Sequence, residues 1–125
     1  MATDGNGGAF IVWSDRRTIP INPDIYAQGI NADGSLKGPE LFIATKSIEP
    51  AIISDGSGGA IITWADSRNA ANGTSANDIF AQHIGSSGAF LWVEGGVGIC
   101  ETARFQSNPD PHIRWWWWCY YYLAG

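Results

Sequence analysis

Residues 55–68 read DGSGGAIITWADSR and residues 4–17 read DGNGGAFIVWSDRR, so the chain writes one stretch twice. The matching aspartates Asp15 and Asp66 stand 51 positions apart (66 − 15). In both copies a D-G-x-G-G turn precedes a short apolar, β-rich run ending in Trp, and a W-x-D-x-R element closes it. Self-similarity at a period of about fifty residues marks arrays built from one supersecondary unit that cannot bury its apolar face alone. The repeat therefore specifies an architecture more sharply than an activity.

The match resumes beyond a loop of variable length, because DIYAQGI at residues 24–30 returns as DIFAQHI at residues 78–84, an offset of 54 (78 − 24). The three extra residues fall in residues 69–77, NAANGTSAN, a composition that tolerates insertion at a surface. Residues 9–13 (AFIVW) and 60–64 (AIITW) read as inner strands. Residues 25–30 alternate, with Ile25, Ala27 and Gly29 on one face and Tyr26, Gln28 and Ile30 on the other. Residues 79–84 repeat that alternation, which predicts a second strand antiparallel to the first. Turns are expected over 31–38 and 85–88, third strands over 41–45 and 97–102, and a fourth over 50–54. Four strands in each period make a propeller blade, so the expected fold is all-β, a β-propeller fragment of about two four-stranded antiparallel blades. Residues 1–49 form the first blade, truncated at its amino end, residues 50–108 the second, and residues 109–125 the start of a third.

The ordered series D-G-x-G-G-A-I-x-x-W-x-D-x-R, then D-I-[YF]-A-Q-x-I, a Gly turn and a G-V-x-I-C-like strand resembles the blade repeat of large secreted bacterial β-propeller proteins. The resemblance covers most of residues 4–111. It implies an extracellular or cell-surface protein whose repeats form a scaffold or a recognition surface, without a catalytic role or a cofactor. The first copy departs from the second at residues 36–40 (LKGPE), which lack the Trp that Trp92 supplies.

Residues 114–125, RWWWWCYYYLAG, break every pattern above. An exposed run of this kind is an aggregation hazard in a folded soluble protein. Trp has the single codon TGG, Cys begins TG and Tyr begins TA. Shifting the implied DNA by one base permits GAT, four GGT codons and then Ala-Ile-Ile-Thr-Trp. That string opens the next repeat, and its Asp follows Pro109 at the spacing by which Asp55 follows Pro50. The chain thus reads as a frameshifted translation of a longer repeat gene, out of frame from about residue 114. A membrane-interface anchor fits the tail less well, since it lacks a long apolar span.

A formal charge of −5 and the lack of a Lys/Arg cluster argue against nucleic acid or an anionic membrane as partner. No apolar stretch reaches the length of a membrane span, and the opening MATDGNGG has neither the basic nor the apolar part of a signal peptide. Two blades cannot close a ring, so the expected partners are other blades of a parent chain, or self-association, besides a glycan or protein ligand.

Asp15, Arg17, Asp66 and Arg68 are the candidate binding residues, because like charges at one strand end of every blade converge on one propeller face. The competing reading, which we favour, is that each W-x-D-x-R ties loops by ion pairs and backbone hydrogen bonds. Catalysis needs unlike groups in one place, and repetition supplies like ones. The D-G-x-G-G turns lack the spaced acids and distal Glu of a calcium loop, and no Lys-Ser/Thr follows to make a phosphate loop, so no metal site is expected. Trp13 and Trp64 end apolar runs and are assigned to packing between blades, which leaves Trp92, after a turn, as the candidate for an exposed ligand contact. His83 and His112 have no His or Cys partner at ligand spacing. Cys100 reads as a small buried residue, and Cys119 belongs to the shifted segment. The alternative to a non-catalytic module is a fragment of a propeller-fold glycoside hydrolase of the sialidase-like kind. That chemistry needs non-repeated Arg residues and a Tyr nucleophile, whereas Tyr26, the only in-frame Tyr, has Phe80 as its repeat counterpart.

Overall fold

A computed structural model describes residues 1–18, 20–68 and 78–100. The insertion-bearing loop 69–77, the end of the expected third strand at 101–102, and the whole of 109–125 with the frame argument, His112 and Cys119 lie outside the described residues. Those described are all-β: β1 (Ala2–Thr3), β2 (Ala9–Asp15), β3 (Asp24–Ile30), β4 (Leu36–Ala44), β5 (Ser47–Ser54), β6 (Ala60–Asp66), β7 (Asp78–Ile84) and β8 (Val97–Cys100). They build two four-stranded antiparallel sheets, each in sequence order, β1-β2-β3-β4 and β5-β6-β7-β8.

The repeat extends to register. Trp13 pairs with Tyr26 and Asp15 with Asp24, as Trp64 pairs with Phe80 and Asp66 with Asp78. Both D-G-x-G-G turns close in the same way. The Asp4 carboxylate accepts the backbone N–H of Asn6 and of Gly8, both at 2.8 Å, and Asp55 accepts those of Ser57 at 2.7 Å and Gly59 at 2.9 Å. Gly5, Gly7, Gly56 and Gly58 carry the positive φ that these turns require. The carboxylates that a calcium loop would need are thus turned inward on their own backbone. No group of three or more metal-ligating side chains forms among the described residues.

Two strands begin more than two residues ahead of expectation. β4 begins at Leu36, inside the stretch read as a turn, and runs through Gly38 and Pro39 to Ala44. Register shifts against β3 absorb the irregularity, and the Pro is tolerated because β4 is an edge strand with no neighbour to receive its missing N–H. β5 starts at Ser47, ahead of the expected Pro50, with a bulge between Ile48 and Ala51, and it too is an edge. It opens the second sheet, and its counterpart in the first is β1.

One core joins the sheets. Phe10, Ile25 and Ala27 of the first cluster with Ala60, Ile62, Trp64, Phe80 and Ile84 of the second. The two packed faces are not equivalent: Phe10, Ala27 and Ile25 lie on the face opposite Trp13 and Tyr26, whereas Trp64 and Phe80 are the repeat counterparts of Trp13 and Tyr26. The second sheet therefore presents its Trp face to the non-Trp face of the first, a head-to-tail arrangement. Burial follows: Ile11, Trp13, Asp15, Tyr26, Gln28 and Ile30 are half-buried, and their counterparts Ile62, Trp64, Asp66, Phe80, Gln82 and Ile84 are all buried. On the far face of the second sheet Ile61 and Thr63 are half-buried, while Ala65, Ile79 and Ala81 are buried without belonging to the shared core.

The joint between the sheets is tight. Lys46, at φ 51°, and Glu49, at φ 56°, take the left-handed conformation that non-glycine residues seldom adopt. Between them Ser47 is fully buried; its N–H donates to Pro23 O at 2.9 Å and its Oγ lies 2.7 Å from Thr45 O and 3.2 Å from Asp66 Oδ2.

Candidate functional site

Each W-x-D-x-R element closes on itself because alternation puts Trp and Asp, two residues apart, on one face of the strand. In the first sheet Trp13 Nε1 donates to Asp15 Oδ2 at 3.1 Å, Arg17 N to Asp15 Oδ1 at 2.8 Å and Arg17 Nε to Oδ2 at 2.8 Å. Arg17 continues to Glu40 on β4 at 2.7 Å, and its guanidinium lies 4.4 Å over the Tyr26 ring. In the second sheet Trp64 Nε1 donates to Asp66 Oδ2 at 2.8 Å, and Arg68 donates from N and Nη2 at 2.8 and 2.6 Å. Arg68 also donates to Gly95 O at 2.7 Å and lies 3.8 Å over Phe80.

These contacts set the carboxylates' chemistry. The Arg17 side chain, its backbone N–H and the Trp13 indole hold the Asp15 carboxyl far below the usual range. Burial alone would raise Asp66, but the Arg68 and Trp64 donors outweigh it and the net direction is down. A carboxylate held ionised by an arginine and an indole is a poor general acid or base at neutral pH. No described hydrogen bond joins Asp15 or Arg17 to Asp66 or Arg68, so the four residues form two separate pairs rather than one constellation. Tyr26 is packed between Trp13, stacked at 6.2 Å, and the edge of Phe42 at 5.5 Å.

Trp92 stands on the surface at 37 % exposure, with Leu91 and Val93 exposed beside it. Its ring meets His83 edge-on at 5.5 Å, and its backbone N–H donates to Gln82 Oε1 at 3.2 Å. A partly exposed indole with an imidazole against it is a small platform of the kind that stacks on a flat apolar ligand face.

Sequence reasoning missed the partners of the turn aspartates. Lys37 Nζ lies 2.7 Å from Asp4 Oδ2, and His83 Nε2 lies 2.8 Å from Asp55 Oδ2. His83, for which the sequence shows no His or Cys partner at ligand spacing, is half of a polar pair with a carboxylate. Cys100, read as a simple buried residue, is half-buried and is not a free thiol. No motif spacing announces these contacts, since they span sheet register rather than chain distance.

Comparison with family models, with curated proteins and with solved structures returns no match.

Proposed function

We propose that the chain is a pair of β-propeller blades, a non-catalytic repeat module of a secreted or surface bacterial protein that serves as a scaffold or as a recognition surface for glycans or proteins. The observation that carries this reading is the packing of two sheets of identical strand order and register in the same sense, Trp face on non-Trp face. Such packing has no built-in end and suits an array of further repeats. The engagement of both W-x-D-x-R carboxylates by their own Arg and Trp supports a structural role for the repeated charges. Recognition then falls to what the repeats do not share, with Trp92 foremost.

The test is the locus itself. Sequencing through and beyond the codons for residues 114–118 in all frames is expected to reveal further D-G-x-G-G-A-x-x-x-W units. Stop codons close downstream in every frame, with no such unit upstream either, would sink the reading. A glycan array probed with the full chain tests recognition, binding being expected to fall on Trp92→Ala.

A further inference from the structure

The second sheet is covered on both sides, and the described strands account for one of them. Its Trp face packs on the first sheet, and all eight described strands belong to these two sheets. On the opposite side Ala65 is 3 % exposed, Ile79 2 % and Ala81 3 %, although none of them joins the shared core. At the positions of the first sheet that match Ile79 and Ala81, Ile25 and Ala27 are buried because the second sheet lies against them. Apolar side chains hidden to the same degree on the second sheet have a cover of their own.

The register puts a cysteine on that side. Ala65 pairs with Ile79 and Ile79 with Cys100, so the three side chains form one row across β6, β7 and β8 on the same face. Cys100 is disulfide-bonded, and the chain has two cysteines, the other being Cys119.

We propose that the cover is the aromatic stretch 115–122, laid over the Ala65–Ile79–Ala81 side of the second sheet as a cap and fastened there by a disulfide between Cys119 and Cys100. A disulfide holds its two Cα atoms within about 7 Å. Trp118 and Tyr120 stand one residue to either side of Cys119, about 3.8 Å along the chain. Neighbouring strands lie about 4.8 Å apart, so these rings come within reach of Ile79 and Ala65. The run that is an aggregation hazard in solvent thereby gains an apolar surface to bury against. The bond forms by exchange with a small-molecule disulfide such as oxidised glutathione. One protein thiolate displaces a small thiol from it, the second protein thiolate attacks the mixed disulfide, and two small thiols leave with the two electrons and two protons that the cysteines give up.

Equilibrating the full chain in mixtures of oxidised and reduced glutathione tests both the bond and the cap. Peptide mapping of the non-reduced chain is expected to recover a Cys100–Cys119 link within one chain; two free thiols, or a link between chains, overturns the proposal. The equilibrium constant for forming that link in buffer is expected to exceed the constant for the same chain in urea by about tenfold or more, since the folded sheet gathers the two sulfurs. Equal constants overturn it as well. Trp115→Ser, Trp116→Ser, Trp117→Ser and Trp118→Ser made together are expected to lower the constant in buffer by about tenfold, toward the urea value. An unchanged constant assigns the cover to residues 69–77 and sinks the cap. Should the fourfold variant lose the far-UV dichroism of the wild type, Trp118→Ser alone takes its place and the comparison of buffer with urea still decides. None of these outcomes bears on the repeat-module reading, which the locus decides.

Discussion

The two turn aspartates occupy the same place in two sheets and are met by different bases from different strands. Asp4 is met by Lys37, reaching from β4, and Asp55 by His83, from β7. The reason lies at Gly29, the repeat counterpart of His83. A Cβ there would sit 2.9 Å from Lys37 Cβ and 3.0 Å from the Phe10 ring, so only the lack of a side chain lets Lys37 cross β3 to the turn. In the second sheet the imidazole fills that space and makes the contact itself. What the repeats share is a task, a nitrogen-bearing side chain against the turn carboxylate, and not the residue that performs it.

The largest expected effect separates the sheets by burial. Trp64→Ala removes a side chain that is 1 % exposed and should destabilise by about 3–5 kcal/mol, with a clearly smaller loss for Trp13→Ala, both read from denaturant midpoints. Equal losses would mean that the two Trp faces are equally covered and would undo the comparison. Next comes Asp66→Ala, which strands the buried Trp64 indole donor and removes the partner of the more exposed Arg68, and should cost about 2–3 kcal/mol, again more than Asp15→Ala by the same measurement.

Acid should then weaken both sheets. Lys37 first, then the Asn6 and Gly8 N–H groups, lower Asp4, and His83 first, then Ser57 and Gly59, lower Asp55. A carboxylate whose folded pKa lies below its unfolded value adds stability that is complete above about pH 4 and disappears as the pH falls through the folded value. Urea midpoints should therefore hold steady from pH 6 to about pH 4 and decline below it. His83→Leu should flatten the part of that decline due to Asp55, and a decline unchanged by it would remove His83 from the account. Smallest of all, Trp92→Ala should shift stability by less than about 1 kcal/mol, since the ring is partly in solvent and completes no core.

How far the sequence carried can be judged from particular residues. β2 and β6 were legible as apolar runs between the D-G-x-G-G and W-x-D-x-R elements, and β3 and β7 by their period-two alternation. β4 was legible only in its second half, over the expected strand 41–45, since residues 36–38 read as the end of a turn unless one knows that the strand is an edge. β1 was lost because two residues carry no periodicity, and only its pairing with β2 makes it a strand. The local Asp–Arg pairs lie two residues apart and could be anticipated from alternation. The Asp4–Lys37 and Asp55–His83 pairs join residues 33 and 28 positions apart, and only register brings them together.

Ser47 has a consequence beyond its own bonds. It is the point where one repeat hands the chain to the next, held at once by Pro23, Thr45 and Asp66. A fixed angle at such a joint, copied at every repeat, accumulates around an array. In any longer series of such sheets the curvature would be set at joints of this kind, and in this chain the joint is held by the backbone N–H and the hydroxyl of one buried serine.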